Sequence, residues 1–541
     1  MALVILSAAK NLVLYAGVAL VRSTRHHVAE KKSGTWVLKD EISHYVRNDI
    51  GHPWVPMPDN LVFIEFLVEY LANSKFEIPN PGGPMSDLES VFAWIDSHQD
   101  AAIADLQRYC RQPSIAAQDV GMEEMAAIVA ADLRDLGADT TLVPTAGHPV
   151  AVGRLDGDTP RRVMIYNHYD VQPPEPLEEW RTPPFEAAIE DGVLYARGVA
   201  DNKGNVVARM WAARAWLAVR GSLPCGVTFV FEGEEEVGSP HLADFAAANR
   251  ALLEADACLW EAGYREPNGS LALYAGLKGM LYVELRARTV AYDLHSGNAN
   301  LAPNAAWSLV RALHSLRDEA GRVLIPGFYD GVRPPTERDL ALIRQSPMDV
   351  QSTARAWGVD RLLGPSQDPV DLTVQSLFEP TCNIAGIWGG YSGPGTKTVL
   401  PATAGAKIDF RLVPDQDPER ILSSLRAYLA DNGFSDVEVV ALEGTEWPAQ
   451  SPVETPLMEA MVRAARIVYG SEPRIVTRMA GTGPMEQLCQ RHGLPAVGGA
   501  GVGNSNSRVH APNENVRLED FVLGIKHVAA MLAEFAALDQ A

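Results

Sequence analysis

From residue 85 onward the chain alternates helical stripes with short apolar runs. In MSDLESVFAWID, Leu88, Val91, Phe92 and Ile95 share one helical face, and Ser86 and Glu89 stand in capping-box register before the stripe. The spacing predicts helices over 86–112, 121–137 and 203–219, and strands over 140–144, 149–154, 161–167, 226–232 and 256–260. Near 278 the register changes: KGMLYVELRARTVAYD reads as one long alternating strand. Helices are then expected at 304–318, 336–357 and 417–432, with strands at 382–388, 404–413 and 435–442. After GTEWPAQSP, helices follow at 456–469 and 519–538. Helices alternating with buried strands indicate an α/β class, a mixed sheet flanked by helices and interrupted by a smaller α+β unit. The expected division is 1–84 as an N-terminal extension, 85–277 and 444–541 as one catalytic domain, and 278–443 as the insertion.

Composition narrows the function classes. Of 541 residues, 47% are hydrophobic and 21% charged, which fits a globular chain. Lys+Arg of 46 against Asp+Glu of 68 gives a net charge of −22, which argues against a nucleic-acid or anionic-membrane partner. Five scattered cysteines without a CxxC spacing point to a reducing, cytoplasmic compartment rather than a disulfide framework. No uncharged apolar run is long enough to predict a membrane span. The apolar start MALVILSAAKNLVLYAGVALV is broken by Lys10 and Asn11 and lacks the basic residues of a secretory leader. Residues 22–84 are polar, weakly patterned and end in PNPGGP, so 1–84 reads as an appendage or as an over-long start assignment.

Chemistry gathers at strand ends. His168 and Asp170 follow VMIY, Glu235 and Glu236 follow VTFVFEGE, and Glu261 follows ACLW. Sites in open α/β sheets form at the carboxyl ends of strands, so these residues are expected to converge. Several buried carboxylates together cost too much unless a cation compensates. Asp201 in RGVADNKG and His510 in NSRVHAPNE complete a set of imidazoles and carboxylates suited to zinc and its neighbours. Taken singly, EGEEE also reads as a solvated acidic turn, and lone histidines such as His241 and His492 as surface or core residues.

In combination and in order, NHYDVQP, ARGVADNKG, EGEEEVGS, YDLHSG, KTVLPATAGAKIDFRLVP and VHAPNE resemble the M20 family of di-zinc metallopeptidases, within it the carnosinase-like cytosolic dipeptidases. The resemblance spans about 86–538. It implies a di-zinc peptidase catalytic domain with a lid and dimerisation insertion, and two divalent ions per subunit, Zn2+ first, with Mn2+ or Co2+ as alternatives. Asp201 would bridge them; His168 and Glu261 would hold one ion, Glu236 and His510 the other. Asp170 would orient the His168 imidazole. Aligning Gly238-Ser239 with the family pattern makes Glu235 the general base and leaves Glu232 and Glu234 as scaffold. The resemblance further implies that His295 polarises the scissile carbonyl in the neighbouring subunit's site, hence a homodimer. Thr398, Arg411 and Thr482 would bind substrate, the guanidinium fork of arginine suiting a carboxylate. One position departs: the carnosinase-like branch carries aspartate where this chain has Glu261, and glutamate there is more typical of carboxypeptidases and N-deacylases. The implied activity is hydrolysis of dipeptides or small peptides. The alternatives are an N-acyl-amino-acid amidohydrolase, a carboxypeptidase or, in a different class, a metal-free binding protein.

Overall fold

In the computed structural model the described residues are 84–266 and 269–538, together with four short strands near the N-terminus. Contacts divide the chain into two units, Met1–Asn80 and Pro81–Ala541. In the first, Leu12–Val13 pairs with Leu20–Val21, and Ala29–Lys32 with Thr35–Leu38, both antiparallel. The expectations of an appendage and of a non-secretory start lie almost wholly outside the described residues.

The second unit is built on an eight-stranded mixed sheet. At its centre, Gly157–His168 runs parallel to Leu223–Glu232 on one side and Ala257–Trp260 on the other, and Ala496–Gly498 lies parallel beyond. Val150–Leu155 and Asp139–Val143 extend one flank antiparallel, and Ala272–Tyr274 and Arg474–Val476 complete the other. Strand Leu223–Glu232 is buried along its whole length, as expected where helices cover both faces. One face packs under helices Gly204–Arg220 and Leu518–Ala537, with Trp216 and Phe535 in a continuous core. The opposite core contains Tyr166, Trp260 and Met485. The register sets His168 level with Glu232, so the central strands end at one edge of the sheet.

Residues 279–441 hold a second, fully antiparallel sheet in the order Asn383–Gly389, Thr403–Leu412, Gly279–Arg288, Val437–Ala441. Alternate residues Leu281, Val283, Leu285 and Ala287 face a separate core shared with helices Ala305–Ser315 and Pro418–Asp431. The edge strand exposes Ile384, Ile387 and Trp388, and the first helix exposes Trp307 and Val310.

Several element limits differ from expectation for local reasons. The first helix starts at Pro84, a favoured first-turn residue, which puts Ser86 inside it rather than at its cap. The helix expected over 86–112 is two, Pro84–Ser97 and Gln99–Arg111, divided at His98, whose backbone leaves the helical region and whose ring stacks on Trp94 at 4.0 Å. That expected over 336–357 is also two, because Pro347 cannot continue a helix and Asp349 caps the next one. The long strand from 278 stops at Arg288. Helix Pro369–Phe378 is additional to the expected elements, although Asp368 as cap and Pro369 after it are a readable start.

The three helices between Glu337 and Phe378 lie within the 279–441 span that holds the second sheet yet reach the first sheet's side of the molecule. The Leu377 carbonyl accepts from Arg478 at 3.3 Å, the Glu379 carbonyl from Lys278 Nζ at 2.8 Å, and Arg338 pairs with Glu454 at 2.9 Å. Among the described residues no helix is long and apolar enough to cross a membrane. All five cysteines are buried free thiols.

Candidate metal centre

The sheet edge brings seven predicted side chains to one place. His168, the last residue of its strand, directs Nε2 to within 3.0 Å of Asp201 Oδ1, 3.8 Å of Glu261 Oε2 and 4.0 Å of Glu235 Oε2. On the other side of Asp201, His510 Nε2 lies 3.3 Å from Oδ2 and 3.1 Å from Glu236 Oε2. The two oxygens of Asp201 therefore face two different imidazoles. His168, Asp201 and Glu236 offer ligand atoms within 4.8 Å of one another.

Asp170 is fully buried and holds two parts of the cluster. Its Oδ1 lies 3.3 Å from His168 Nδ1 and accepts from the Glu235 amide at 3.3 Å, while Oδ2 accepts from the Glu236 amide at 3.0 Å. These bonds anchor the short turn Glu235–Val237. Glu232 instead turns into the core, accepting from Tyr166 at 2.5 Å and Ser239 at 3.0 Å, and Glu234 pairs with His241 at 2.8 Å.

Burial and mutual repulsion push the carboxyl groups up. Desolvation, then Asp201, raise Glu261 to about 7 although His168 opposes this; Glu235 rises well above the usual range from burial and from Glu261; Glu236 also rises, mainly from burial. Burial disfavours the His168 imidazolium, but its bonds to Asp170 and Asp201 more than offset this and hold the pKa well up. Hydrogen bonds to Asp201 and Glu236 raise His510 to about 10. Burial works against the ionised form of Asp201, yet the bonds from His168 and His510 bring its pKa down. The cluster thus needs positive charge. Glu236 Oε1 and Glu261 Oε2 are buried without any hydrogen-bond partner, an arrangement that costs several kcal/mol in an apolar setting. Two imidazoles, a shared carboxylate and two partnerless carboxyl oxygens fit divalent cations held by N and O donors.

The predicted substrate residues divide. Arg411, on a strand of the second sheet, donates to Thr482 Oγ1 at 2.6 Å across 71 positions of sequence. Thr482 borders the cluster, because a Cβ added at its neighbour Gly483 would lie 3.5 Å from Oε1 of both Glu235 and Glu261. His295 and Thr398 sit elsewhere. His295 is exposed, pairs with Val399 beside Thr398, and its Nδ1 accepts from the Gly297 amide at 3.0 Å. No hydrogen bond or ion pair among the described residues joins His295 to the cluster within this chain.

Sequence reasoning missed the groups behind these side chains. Buried Glu514 accepts from Arg197 at 2.8 Å and from the Gly198, Ala200 and Asp201 amides at 2.9, 2.9 and 3.0 Å, so the loop of His510 holds the loop of Asp201. Burial raises its pKa to about 7 even beside Arg197. Gln172 donates to Glu236 Oε2 at 2.9 Å. Buried Arg209 donates to the Glu261 carbonyl and, at 3.2 Å, to the Gly499 carbonyl. The acidic position inside HAPNE was a readable signal for Glu514; nothing local marks Arg209, whose partners lie up to 290 positions away.

Comparison with known proteins places this geometry. A family model described as Peptidase family M20/M25/M40 matches residues 164–534. The human β-Ala-His dipeptidase is 29% identical over 503 residues, covering 87% of this chain and 97% of that protein. The Cys-Gly metallodipeptidase DUG1 of Saccharomyces cerevisiae is 29% identical over 401 residues, 72% of this chain and 82% of that one. Among solved structures, the M20 family metallo-carboxypeptidase Sso-CP2 of Sulfolobus solfataricus superimposes with a TM-score of 0.77 at 38% identity, covering 80% of this chain and 99% of that one.

Proposed function

The chain belongs to peptidase family M20/M25/M40, and on that premise we propose that it hydrolyses dipeptides and other short peptides with a free C-terminal carboxylate, using two divalent ions. The observation that carries the reading is Asp201, with Oδ1 toward His168 and Oδ2 toward His510, beside a half-buried Glu235. His168 and Glu261 would hold one ion, Glu236 and His510 the other, and Asp201 both. Imidazole and carboxylate donors favour Zn2+, with Mn2+ or Co2+ as substitutes. When bound, the ions would lower the pKa of a water and polarise the scissile carbonyl. Glu235 accepts the proton of the attacking water and returns it to the leaving amine. Asp170 keeps His168 in the tautomer protonated at Nδ1, leaving Nε2 free to ligate. Arg411, aligned by Thr482, takes the substrate carboxylate in its fork.

His295 serves a neighbouring copy in this reading, with Thr398 travelling beside it on the paired strands. The exposed apolar edge of Ile384, Ile387, Trp388, Trp307 and Val310 supports a homodimer joined through the insertion, with residues 278–443 acting as lid and dimerisation domain. The buried free thiols suit a reducing, cytoplasmic setting. A second reading, removal of C-terminal residues from longer peptides, is favoured by Glu261 and by the likeness to a metallo-carboxypeptidase at 38% identity.

The test is a panel of dipeptides, longer peptides, their C-terminal amides and N-acyl amino acids, assayed on protein stripped of metal and reloaded with Zn2+, Mn2+ or Co2+. Free-carboxylate dipeptides should be cleaved and their amides spared. Equal cleavage of amides, or inactivity with two ions bound, would overturn the proposal. For assembly, inactive His295→Ala and Glu235→Gln chains should regain activity when subunits exchange; exchange without recovery means that His295 does not act in trans.

A further inference from the structure

We propose that Trp260 is a positioning residue that aims Glu261 into the metal centre, an inference that rests on reading Glu261 as a ligand. Glu261 follows directly on the strand Ala257–Trp260. The Trp260 indole Nε1–H donates to Glu261 Oε1 at 3.1 Å. The other oxygen, Oε2, is buried with no partner and lies 3.8 Å from His168 Nε2, facing the cluster. A glutamate side chain has three rotatable bonds, and ordering it costs rotamer entropy. One bond to a fixed donor removes most of that freedom and decides which oxygen is left to ligate.

The donor is fixed. Trp260 is fully buried, and its ring stacks on Tyr166 with centroids 4.1 Å apart and planes 17° from parallel. Tyr166 lies two residues before His168 on the neighbouring strand, and its hydroxyl donates to Glu232 at 2.5 Å. Glu232 also receives Ser239 at 3.0 Å. The indole plane is therefore set by the same strand that presents His168. The main chain of Glu261 is held as well, its carbonyl accepting from Arg209 and, at 3.3 Å, from Asn167. Glu261 is pinned at its carbonyl and at Oε1, and Oε2 remains. A buried indole N–H needs an acceptor, and here that requirement is met by a carboxylate that would otherwise be free to turn away.

Trp260→Phe removes the donor and keeps an aromatic ring in the stack. Titration of the stripped protein with Zn2+ against a chromophoric chelator should resolve two binding events in the wild type. In the variant one should weaken by about 10- to 100-fold, the range for losing a hydrogen bond behind a ligand, and the other should be unchanged. The melting temperature without metal should fall modestly from the lost ring volume, and its rise on adding Zn2+ should shrink as well. In a Glu261→Asp background, where the shorter side chain alters its reach to the indole, Trp260→Phe should add little, a coupling that a purely structural tryptophan would not show. Unchanged affinity at both sites, or a lower metal-free melting temperature with both affinities intact, would overturn the inference. If the phenylalanine variant does not fold, β-benzothienylalanine placed at 260 keeps the indole shape without its N–H and is held to the same outcomes. A wild type that binds no ions would instead count against the metallopeptidase reading itself.

Discussion

Replacing Asp170 by asparagine tests how the centre is held in shape. The carboxylate accepts at both oxygens: Oδ2 from the Glu236 amide at 3.0 Å, and Oδ1 from the Glu235 amide and His168 Nδ1, each at 3.3 Å. Asparagine makes one oxygen a donor. The shorter bond to Glu236 should keep the remaining oxygen, so the amide nitrogen faces the Glu235 amide and His168 Nδ1. A donor facing Nδ1 favours protonation at Nε2, the nitrogen that points at Asp201, and the ligand lone pair is lost. One influence opposes this. The carbonyl of residue 170 lies 3.2 Å from Nδ1 and survives the substitution. Two charge-assisted bonds at about 1.5–3 kcal/mol each set an upper limit of about 3–6 kcal/mol. The surviving carbonyl brings the expected loss to about 1.4–2.8 kcal/mol, or ~10- to 100-fold in affinity for the ion at His168. Competition with a chromophoric zinc chelator measures that loss, and the rate at saturating metal reports the displaced Glu235. Wild-type affinity together with a wild-type rate in Asp170→Asn would refute the orienting role.

Glu235→Gln removes the proton acceptor at nearly constant shape, so kcat should fall by ~10²–10⁴-fold while elemental analysis still finds two ions per chain; an unaltered kcat would assign the base to another glutamate. A second expectation concerns acid. His527 is buried against the Met461 carbonyl at 3.0 Å, and desolvation lowers its pKa to about 4. Between about 6.5 and about 4 the unfolded chain binds a proton that the folded chain refuses, so stability falls as pH drops, by up to roughly 3 kcal/mol from this group. Urea unfolding of metal-free protein between pH 7 and 4.5 should show a shallower decline for His527→Gln; parallel curves would show that His527 titrates normally.

Five of the eight strands of the first sheet, the four of the second and most helices could be read from periodicity, because burial acts locally on i, i+2 and i, i+3/i+4 spacing. The short strands Ala272–Tyr274, Arg474–Val476 and Ala496–Gly498 carry too few residues for a pattern. The strand-end motifs likewise mark His168, Asp170, Glu235, Glu236 and Glu261, since a carboxylate or imidazole ending a buried run needs a reason to be there, while Asp201 and His510 are legible only from their loop motifs. Limits shifted where one residue outweighed the pattern, as at His98 and Pro347. What the sequence could not supply was contact between distant positions. Glu514 reaches Asp201 across 313 residues, Arg411 reaches Thr482 across 71, and Arg209 reaches Gly499 across 290. The helices of 337–378 lie within the span expected as an insertion, yet Leu377 and Arg338 hydrogen-bond Arg478 and Glu454 outside it. The partnerless oxygens of Glu236 and Glu261 appear only once the strands are paired and their neighbours counted. Periodicity records which face of an element is buried; which buried groups then find partners depends on strand order and register, and only the tertiary structure decides those.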